Sequence, residues 1–428
     1  MNGRRVVITG LGVVAPNGIG KDAFWKALLE GKNAVGPITR FDAAPYSTRI
    51  AAEVKEFQAH PKIPAEHLPH MDRAYQMGVT AAFQAVEDSG LDTRTEDVSR
   101  WGTYMGLAVA AVDTYEKDFQ WGREPGMPRV HKNWYQGWAP SACSGYISLL
   151  LGLRGTSQVV STGCSSSIDA LGMALTAIRG GWEDIALAGG TEAPITPLCL
   201  NSFCAMRALS TRNEDPSHAS RPFDKNRDGF ILAEGGAVVV LESLDHAMAR
   251  GARIYAEVGG YGTTSNAYHM TAPDPCGDQT ARAFHLAMED AEASPEEIGV
   301  FYAHGSSTPL NETVETLAVK KAFGEHSKKM LLTGIKSMIG HTLGSAGILQ
   351  IITAALSLRD QKVPPTMNYE VSDPTCDLDC VPNVAREASF SAVMTNTAGF
   401  SGKNSATVLF FPSSREGGGR GLFGGAVA

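Results

Sequence analysis

Hydrophobic residues fall along the chain in two kinds of run, short β-branched stretches and longer stretches of helical period. Residues 5–16 (RVVITGLGVVAP) read as a buried strand that ends in a turn at Asn17-Gly18. A helix is predicted from near Lys21. An amphipathic one is predicted over 73–89, with Tyr75, Met77, Gly78, Ala81, Ala82, Ala85 and Val86 as its apolar set. A strand lies around 101–106, and another, 184–192, precedes a turn-rich connection at 221–235. The pattern then alternates: strand 236–242, helix 243–250, strand 254–262, helix 278–293, strand 299–303, helix 312–323, strand 330–335 and helix 343–358. Strands at 390–397 and 404–411 close it. Such alternation predicts an α/β protein with largely parallel, two-sided sheets. The runs 1–250 and 251–411 match in size and element order, a sign of internal duplication carried by pattern and not by residue identity. The stretch 112–142, where Trp121, Trp134, Tyr135 and Trp138 cluster, shows no period. It is read as a long loop serving as lid, pocket wall or interface, or folded on its own aromatics. The glycine-rich residues 412–428 read as a flexible tail.

One stretch organises the rest. Over 158–180 a β-branched run (Val159, Val160) stops at Thr162-Gly163, and a helical pattern begins at once through Ile168, Leu171, Gly172, Leu175 and Ile178. Cys164 therefore stands where a strand turns into a helix. The N–H groups and partial positive charge of a helix start favour a thiolate there, and the small residues Gly163, Ser165, Ser166 and Ser167 leave room for a substrate. A buried structural cysteine fits the same stretch.

Composition narrows the choice. The chain has 428 residues with 43% hydrophobic and 19% charged, enough for large cores. A net charge of −8 supplies no basic excess for nucleic acid. No run of apolar residues is long enough to span a membrane, and no signal peptide precedes the first strand, so a cytoplasmic protein is expected. The seven cysteines are odd in number and irregular in spacing, and they read as reduced thiols. Cys376 and Cys380 lack a second pair at zinc spacing, so no metal is expected. Gly10-Leu-Gly12-Val-Val-Ala15 fits a dinucleotide-binding turn, but Pro16-Asn17-Gly18 stands where that fingerprint needs a helix to open.

Two histidines complete a candidate site. His304 ends a buried strand before Gly-Ser-Ser-Thr-Pro. Lys336 and His341 lie in the glycine-rich run GIKSMIGHTLGSAG. Strand ends of this kind bind ligands in open α/β sheets. A cysteine can hold an acyl group as a thioester, and two neutral imidazole N–H groups can stabilise the enolate left when a malonyl thioester loses CO₂. Lys336 would add fixed positive charge. The segment Gly399-Phe400-Ser401-Gly402 could set a backbone N–H opposite that of Cys164 as an oxyanion hole.

Together these motifs resemble the elongating β-ketoacyl-[acyl-carrier-protein] synthases of the thiolase-fold superfamily, which include type II fatty-acid and polyketide ketosynthases. The resemblance runs from Arg5 to about Phe411. It implies a five-layered α-β-α-β-α fold of two similar halves, with the nucleophile in 1–250 and the histidines in 251–411, and a dimer formed through the sheet edge near the nucleophile. It implies Cys164 as acylated nucleophile, His304 and His341 as the pair supporting decarboxylation and condensation, and Lys336 and Glu315 as charged supports, Glu315 holding the Lys336 region. Gly399 and Phe400 would form the oxyanion hole and gate, with Ala398 beside them. Thr271, Ser306 and Thr308 would meet the pantetheine arm, and Arg207 the acyl carrier protein. No metal or organic cofactor is implied. The partners would be an acyl carrier protein and a second identical or ketosynthase-like chain.

Two departures stand out. Elongating synthases usually carry Phe and Gly where this chain has Ala398 and Ser401. Losing a ring near the nucleophile predicts acceptance of bulkier or more rigid chains, and Ser401 predicts a stiffer loop. Thr191-Glu-Ala-Pro-Ile-Thr-Pro and Asn266-Ala-Tyr-His-Met-Thr lean toward polyketide enzymes and Thr308-Pro-Leu-Asn-Glu toward fatty-acid ones. The balance favours polyketide or polyene assembly, with fatty-acid elongation as the alternative. A non-catalytic partner subunit, an NAD(P)-dependent oxidoreductase and a Cys-His hydrolase remain more distant readings.

Overall fold

Strand β1 (Val6–Ala15) is buried at all ten positions, as its unbroken apolar run requires. The computed structural model describes residues 3–121 and 134–412. Among the described residues, the short strand Gly18–Ile19 pairs with β1, and nine further strands complete the sheet: β2 (Trp101–Gly106), β3 (Ser157–Val160), β4 (Ile185–Glu192), β5 (Gly235–Ser243), β6 (Ala256–Ser265), β7 (Ile298–Tyr302), β8 (Leu331–Thr333), β9 (Ala392–Gly399) and β10 (Lys403–Phe410). Their spatial order is β3-β2-β4-β5-β1 in the first half and β8-β7-β9-β10-β6 in the second. Numbered within each half, both read 3-2-4-5-1. The two meet where Val7 and Ile8 pair with Glu257 and Ala256.

The expectation of largely parallel sheets does not hold. Only β2 with its neighbours β3 and β4, and β7 with β8 and β9, run parallel; the pairs linking β4, β5, β1, β6, β10 and β9 are antiparallel. Chain connection explains part of this. Only three residues separate β9 from β10, too few for the crossover that a parallel pair needs.

Helices divide the sheets into layers. The α1 helix (Arg73–Ser89) packs with the Ala142–Leu151 helix on the outer face of the first sheet. Helices α2 (Ser166–Arg179) and α5 (Ala346–Asp360) fill the space between the sheets. The helices α3 (Asp278–Ala291) and α4 (Asn311–Phe323) cover the outer face of the second. Burial follows this plan. In α5 every residue from Ala346 to Leu358 is buried, because sheets stand on both sides. One core joins Leu171, Leu175, Ile351 and Leu356 to Val239, Val258 and Val393, and separate cores lie under the outer helices.

The predicted elements mostly match, with boundaries shifted by a few residues. In 112–142, read as irregular, helices form at Val112–Trp121 and Trp134–Trp138. Asp72 explains the first. Its carboxylate caps α1 at the Ala74 N–H and also accepts the N–H and hydroxyl of Thr114, at 3.1 and 2.7 Å. One side chain thus serves two helix starts far apart in sequence. Trp138 packs on Tyr115 with ring centroids 5.0 Å apart. The remainder of the aromatic cluster, 122–133 with the side chains of Trp121 and Trp134, and the predicted tail beyond Pro412 lie outside the described residues.

The Gly10-x-Gly12 pair has a packing origin. A Cβ on Gly10 would lie 2.1 Å from the Ala85 carbonyl oxygen, and one on Gly12 1.8 Å from that of Ala81. The two glycines let α1 lie directly on β1. Gly12→Ala is therefore expected to cost about 3 kcal/mol or more in urea unfolding, because the obstructing atoms are backbone. Gly36→Ala, where a Cβ meets nothing within 4 Å, should change little. Equal midpoints for the two variants would refute the close-packing explanation.

Candidate active site

Both halves contribute walls to a cavity of about 240 Å³ lined by Cys164, His304, His341, Phe203, Phe230 and Phe400, among others. Cys164 stands on a short 3-10 turn, Gly163–Ser165, between β3 and α2. Gly163 adopts φ +64°, and the Thr162 N–H is held by Ser166 Oγ at 2.9 Å. The thiol is half-buried.

His304 follows the end of β7, and His341 follows the Lys336–Ile339 turn. Their ring centroids are 5.1 Å apart with planes at 81°. His341 Nδ1 accepts the Leu343 N–H at 3.2 Å, which places its proton on Nε2, and Phe230 packs edge-on against the ring at 5.3 Å. His304 Nδ1 has no hydrogen-bond partner among the described residues. Burial, and then the charge of Lys336, holds both imidazoles well below the usual histidine range. At neutral pH both are uncharged, each with one N–H to donate.

The His304 peptide is gripped from both sides. Lys336 Nζ donates to its carbonyl, and Glu315 accepts its N–H together with that of Gly305 at 3.0 Å. Amides of Asn396 and Asn311 reach the same carboxylate at 2.7 and 3.2 Å. Burial raises the Glu315 pKa, and these donors oppose the rise. Glu315 and Lys336 are thus joined through the His304 backbone.

Beside the thiol, the backbone N–H groups of Phe400 and of Cys164 itself both act on Sγ. They converge from opposite halves of the molecule. Gly399 permits this approach, since a Cβ there would stand 3.2 Å from the Cys164 nitrogen. Phe400 is 36% exposed at the mouth and tilts against Phe203 at 6.5 Å. Ala398 lines the same wall. Towards solvent, Ser306 and Thr308 share a 2.9 Å hydrogen bond and line the cavity, as does exposed Thr271 at the rim. Arg207 is exposed and outside the cavity, on the turn that leaves the Pro197–Ala205 helix.

Models of the β-ketoacyl synthase N-terminal and C-terminal domains match residues 3–247 and 255–370. The chain belongs to the β-ketoacyl synthase family. Over 418 residues it is 43% identical to a putative polyketide β-ketoacyl synthase 1 of Streptomyces halstedii, covering 96% of this chain and 99% of that one. Over 409 residues it is 42% identical to the 3-oxoacyl-[acyl-carrier-protein] synthase 2 of Coxiella burnetii, with the same coverage. Its fold superposes with TM-score 0.89 and 35% identity on AntDE:AntF, a type II PKS acyl-carrier protein in complex with its ketosynthase bound to the hexaketide, covering 95% of this chain and 99% of that chain.

One expectation about this ketosynthase needs correction. The thiol of Cys164 is not a ready thiolate. Burial pushes its pKa up to about 11, against Lys336 and the two N–H groups, which pull it down. Lys336 keeps its positive charge at neutral pH, although burial brings its pKa down to about 8. Other residues escaped the reading of the sequence. Phe203 comes from the Pro197–Ala205 helix, whose start was signalled by the capping Thr196 and by Pro197 at its first position. Phe230 gave no signal at all. Arg227 and Glu312 clamp the turn bearing Ser306 and Thr308. Arg227 donates to the Thr308 and Pro309 carbonyls at 2.9 and 3.0 Å, and Glu312 accepts the Ser307 N–H.

The raised thiol predicts a measurable pH dependence. Iodoacetamide labelling of Cys164, followed on its own peptide, should accelerate about tenfold per pH unit between about pH 7 and 10. Lys336→Met should slow it further, because a neighbouring positive charge is lost. A plateau at or below about pH 8 would mean that the helix start outweighs burial.

Proposed function

We propose that this ketosynthase condenses an acyl group held on Cys164 with a malonyl group delivered by an acyl carrier protein. The observation that carries the reading is the meeting, in one cavity, of a thiol, two neutral imidazoles and two backbone N–H groups from opposite halves. In the first step Cys164 attacks the carbonyl carbon of an acyl-carrier thioester. The carbon–sulfur bond to the carrier breaks, and the cysteine proton ends on the released carrier thiol. A resting thiol with pKa near 11 suits this exchange, because the proton it loses is the one the leaving group needs. The developing oxyanion is met by the N–H groups of Cys164 and Phe400.

In the second step the malonyl carboxylate leaves as CO₂. Its bonding electrons form an enolate, whose oxygen takes hydrogen bonds from His304 and His341. The enolate carbon attacks the Cys164 thioester and the β-ketoacyl product leaves on its carrier. The cysteine sulfur then regains a proton from solvent. Loss of CO₂ drives the reaction, so the chemistry needs no metal or organic cofactor of its own. Lys336 and Glu315 hold the His304 peptide in place during both steps.

The polyketide reading is favoured over fatty-acid elongation by one local feature. Ala398 lines the cavity where elongating synthases usually carry a ring, in the same cavity as the paired rings of Phe203 and Phe230. Carrier docking is assigned to the surface around Arg207 and Thr271. A second thiolase-fold chain, identical or paralogous, would add to the open edge of β3 beside the nucleophile, and the protein would work in the cytoplasm.

Intact mass after exposure to acyl-carrier thioesters tests these assignments. The wild type should gain one acyl group and Cys164→Ala none. His304→Ala and His341→Ala should still acylate but decarboxylate malonyl-carrier at least about 100-fold more slowly. At equal length, unsaturated or branched acyl groups should load faster than saturated ones. Faster saturated loading would favour fatty-acid elongation, and acylation that persists in Cys164→Ala would remove the nucleophile assignment.

A further inference from the structure

Asp169 lies in the first turn of α2, is buried, and lies outside the lining of the cavity. Its carboxylate collects three hydroxyl donors from three elements: Thr162 Oγ1 from the nucleophile turn, Tyr261 Oη from β6 at 2.7 Å, and Ser405 Oγ from β10. Tyr261 and Ser405 belong to the second half, whereas Thr162 and Asp169 belong to the first. The approach is close by design of the sequence, since a Cβ on Gly172 would come within 2.6 Å of the Tyr261 ring.

A second contact runs alongside. Thr397 pairs with Ser405 across the β9–β10 hairpin, so the two side chains share a face. Thr397 Oγ1 donates to Ser165 Oγ at 3.2 Å, and Ser165 Oγ reaches the Thr397 carbonyl at 3.3 Å. Ser165 is the residue after Cys164, and the turn of that hairpin carries Phe400. The Cys164 and Phe400 N–H groups are therefore borne by two segments with no covalent link nearby, and their separation is set by these cross-half contacts.

We propose that Asp169 is a positioning residue that sets the spacing of the two oxyanion donors, by coupling the turn bearing the Cys164 N–H to the hairpin bearing the Phe400 N–H. This rests on the acyl-transfer reading of the site. A carboxylate suits the task because it accepts from all three hydroxyls at once through charge-assisted hydrogen bonds. An asparagine keeps one oxygen acceptor, and its NH₂ can only donate, so the hydroxyl facing it would have to reverse its role from donor to acceptor.

The test compares two reactions of the same sulfur in Asp169→Asn. Acylation by butyryl-pantetheine forms an oxyanion, and alkylation by iodoacetamide does not. The acylation rate constant should fall about tenfold, with the half-saturating thioester concentration within about twofold of wild type. Alkylation should also stay within about twofold of wild type. Tyr261→Phe, which keeps two of the three donors, should lower acylation by about threefold in the same selective way. Unchanged acylation in Asp169→Asn overturns the proposal, and so does an equal fall in both reactions, which would mean that the contact shapes the thiol. Should Asp169→Asn fail to fold, the double variant Tyr261→Phe/Ser405→Ala decides, and wild-type acylation in it overturns the coupling. A wild type that takes no acyl group would overturn the acyl-transfer reading together with this one, whereas an acylated wild type matched by its variants would overturn this one alone.

Discussion

Desolvation at the seam between the two halves is the constraint that the other features answer. His304, His341, Lys336 and Glu315 are all below 5% exposed, so the charged form of each is penalised and must be compensated by neighbours or given up. The imidazoles give it up and stay neutral, which leaves each an N–H to offer. Glu315 is surrounded by backbone and amide donors, and Lys336 is directed at a carbonyl. The thiol gives up its charge as well. A solvated version of the same residues would have a more acidic cysteine and protonable histidines, and each hydrogen bond to a developing oxyanion would compete with water.

Neither half could build this chamber alone. Each sheet presents one set of strand ends: the Cys164 turn follows β3, and His304 follows β7. With the order 3-2-4-5-1 repeated, β3 and β8 occupy equivalent outer positions, and α2 and α5 equivalent inner ones. The α5 helix is buried from both sides over Ala346–Leu358, whereas α2 also exposes Met173 and Thr176, so the buried polar residues of this layer need specific partners. Asp169 is one such residue, and its partners are hydroxyls, two of which cross the seam.

The parts of the site legible in the sequence were those whose signal is local. A strand that stops at Thr162-Gly163 before a helical pattern exposes Cys164, and small residues after His304 and His341 mark strand ends with open space. The motifs then fixed the family. What depends on distant segments was not legible. Phe230 reaches His341 through an extended stretch that carries no period, and the helix Val112–Trp121 depends on Asp72, forty residues earlier. The thiolate expectation failed for the same reason: helix position is written in the local sequence, whereas burial is a property of the assembled chamber. Gly10 and Gly12 show the converse case, a motif whose spacing matched a nucleotide-binding turn but whose cause is the contact between β1 and α1.

Ser401 joins local strain to the working of the chamber. It adopts φ 65°, ψ 17°, a left-handed conformation that costs a non-glycine residue about 1 kcal/mol. Two backbone hydrogen bonds hold it there, Ser401 N–H to the Met270 carbonyl at 2.6 Å and Asn266 N–H to the Gly402 carbonyl at 2.8 Å. Those bonds tie the turn carrying Phe400 to the rim segment carrying Thr271. A glycine at 401 would adopt the same geometry without strain but would also leave it easily, freeing the turn to swing. Serine narrows that freedom from the unfolded side as well as the folded one. The Phe400 N–H is thereby fixed from two directions: by the rim, through Ser401 and Gly402, and by the Cys164 turn, through Thr397 and Ser165. In the proposed acyl transfer, a donor held this way would need little reorganisation as charge appears on the substrate oxygen, which is where an oxyanion hole gains most of its effect.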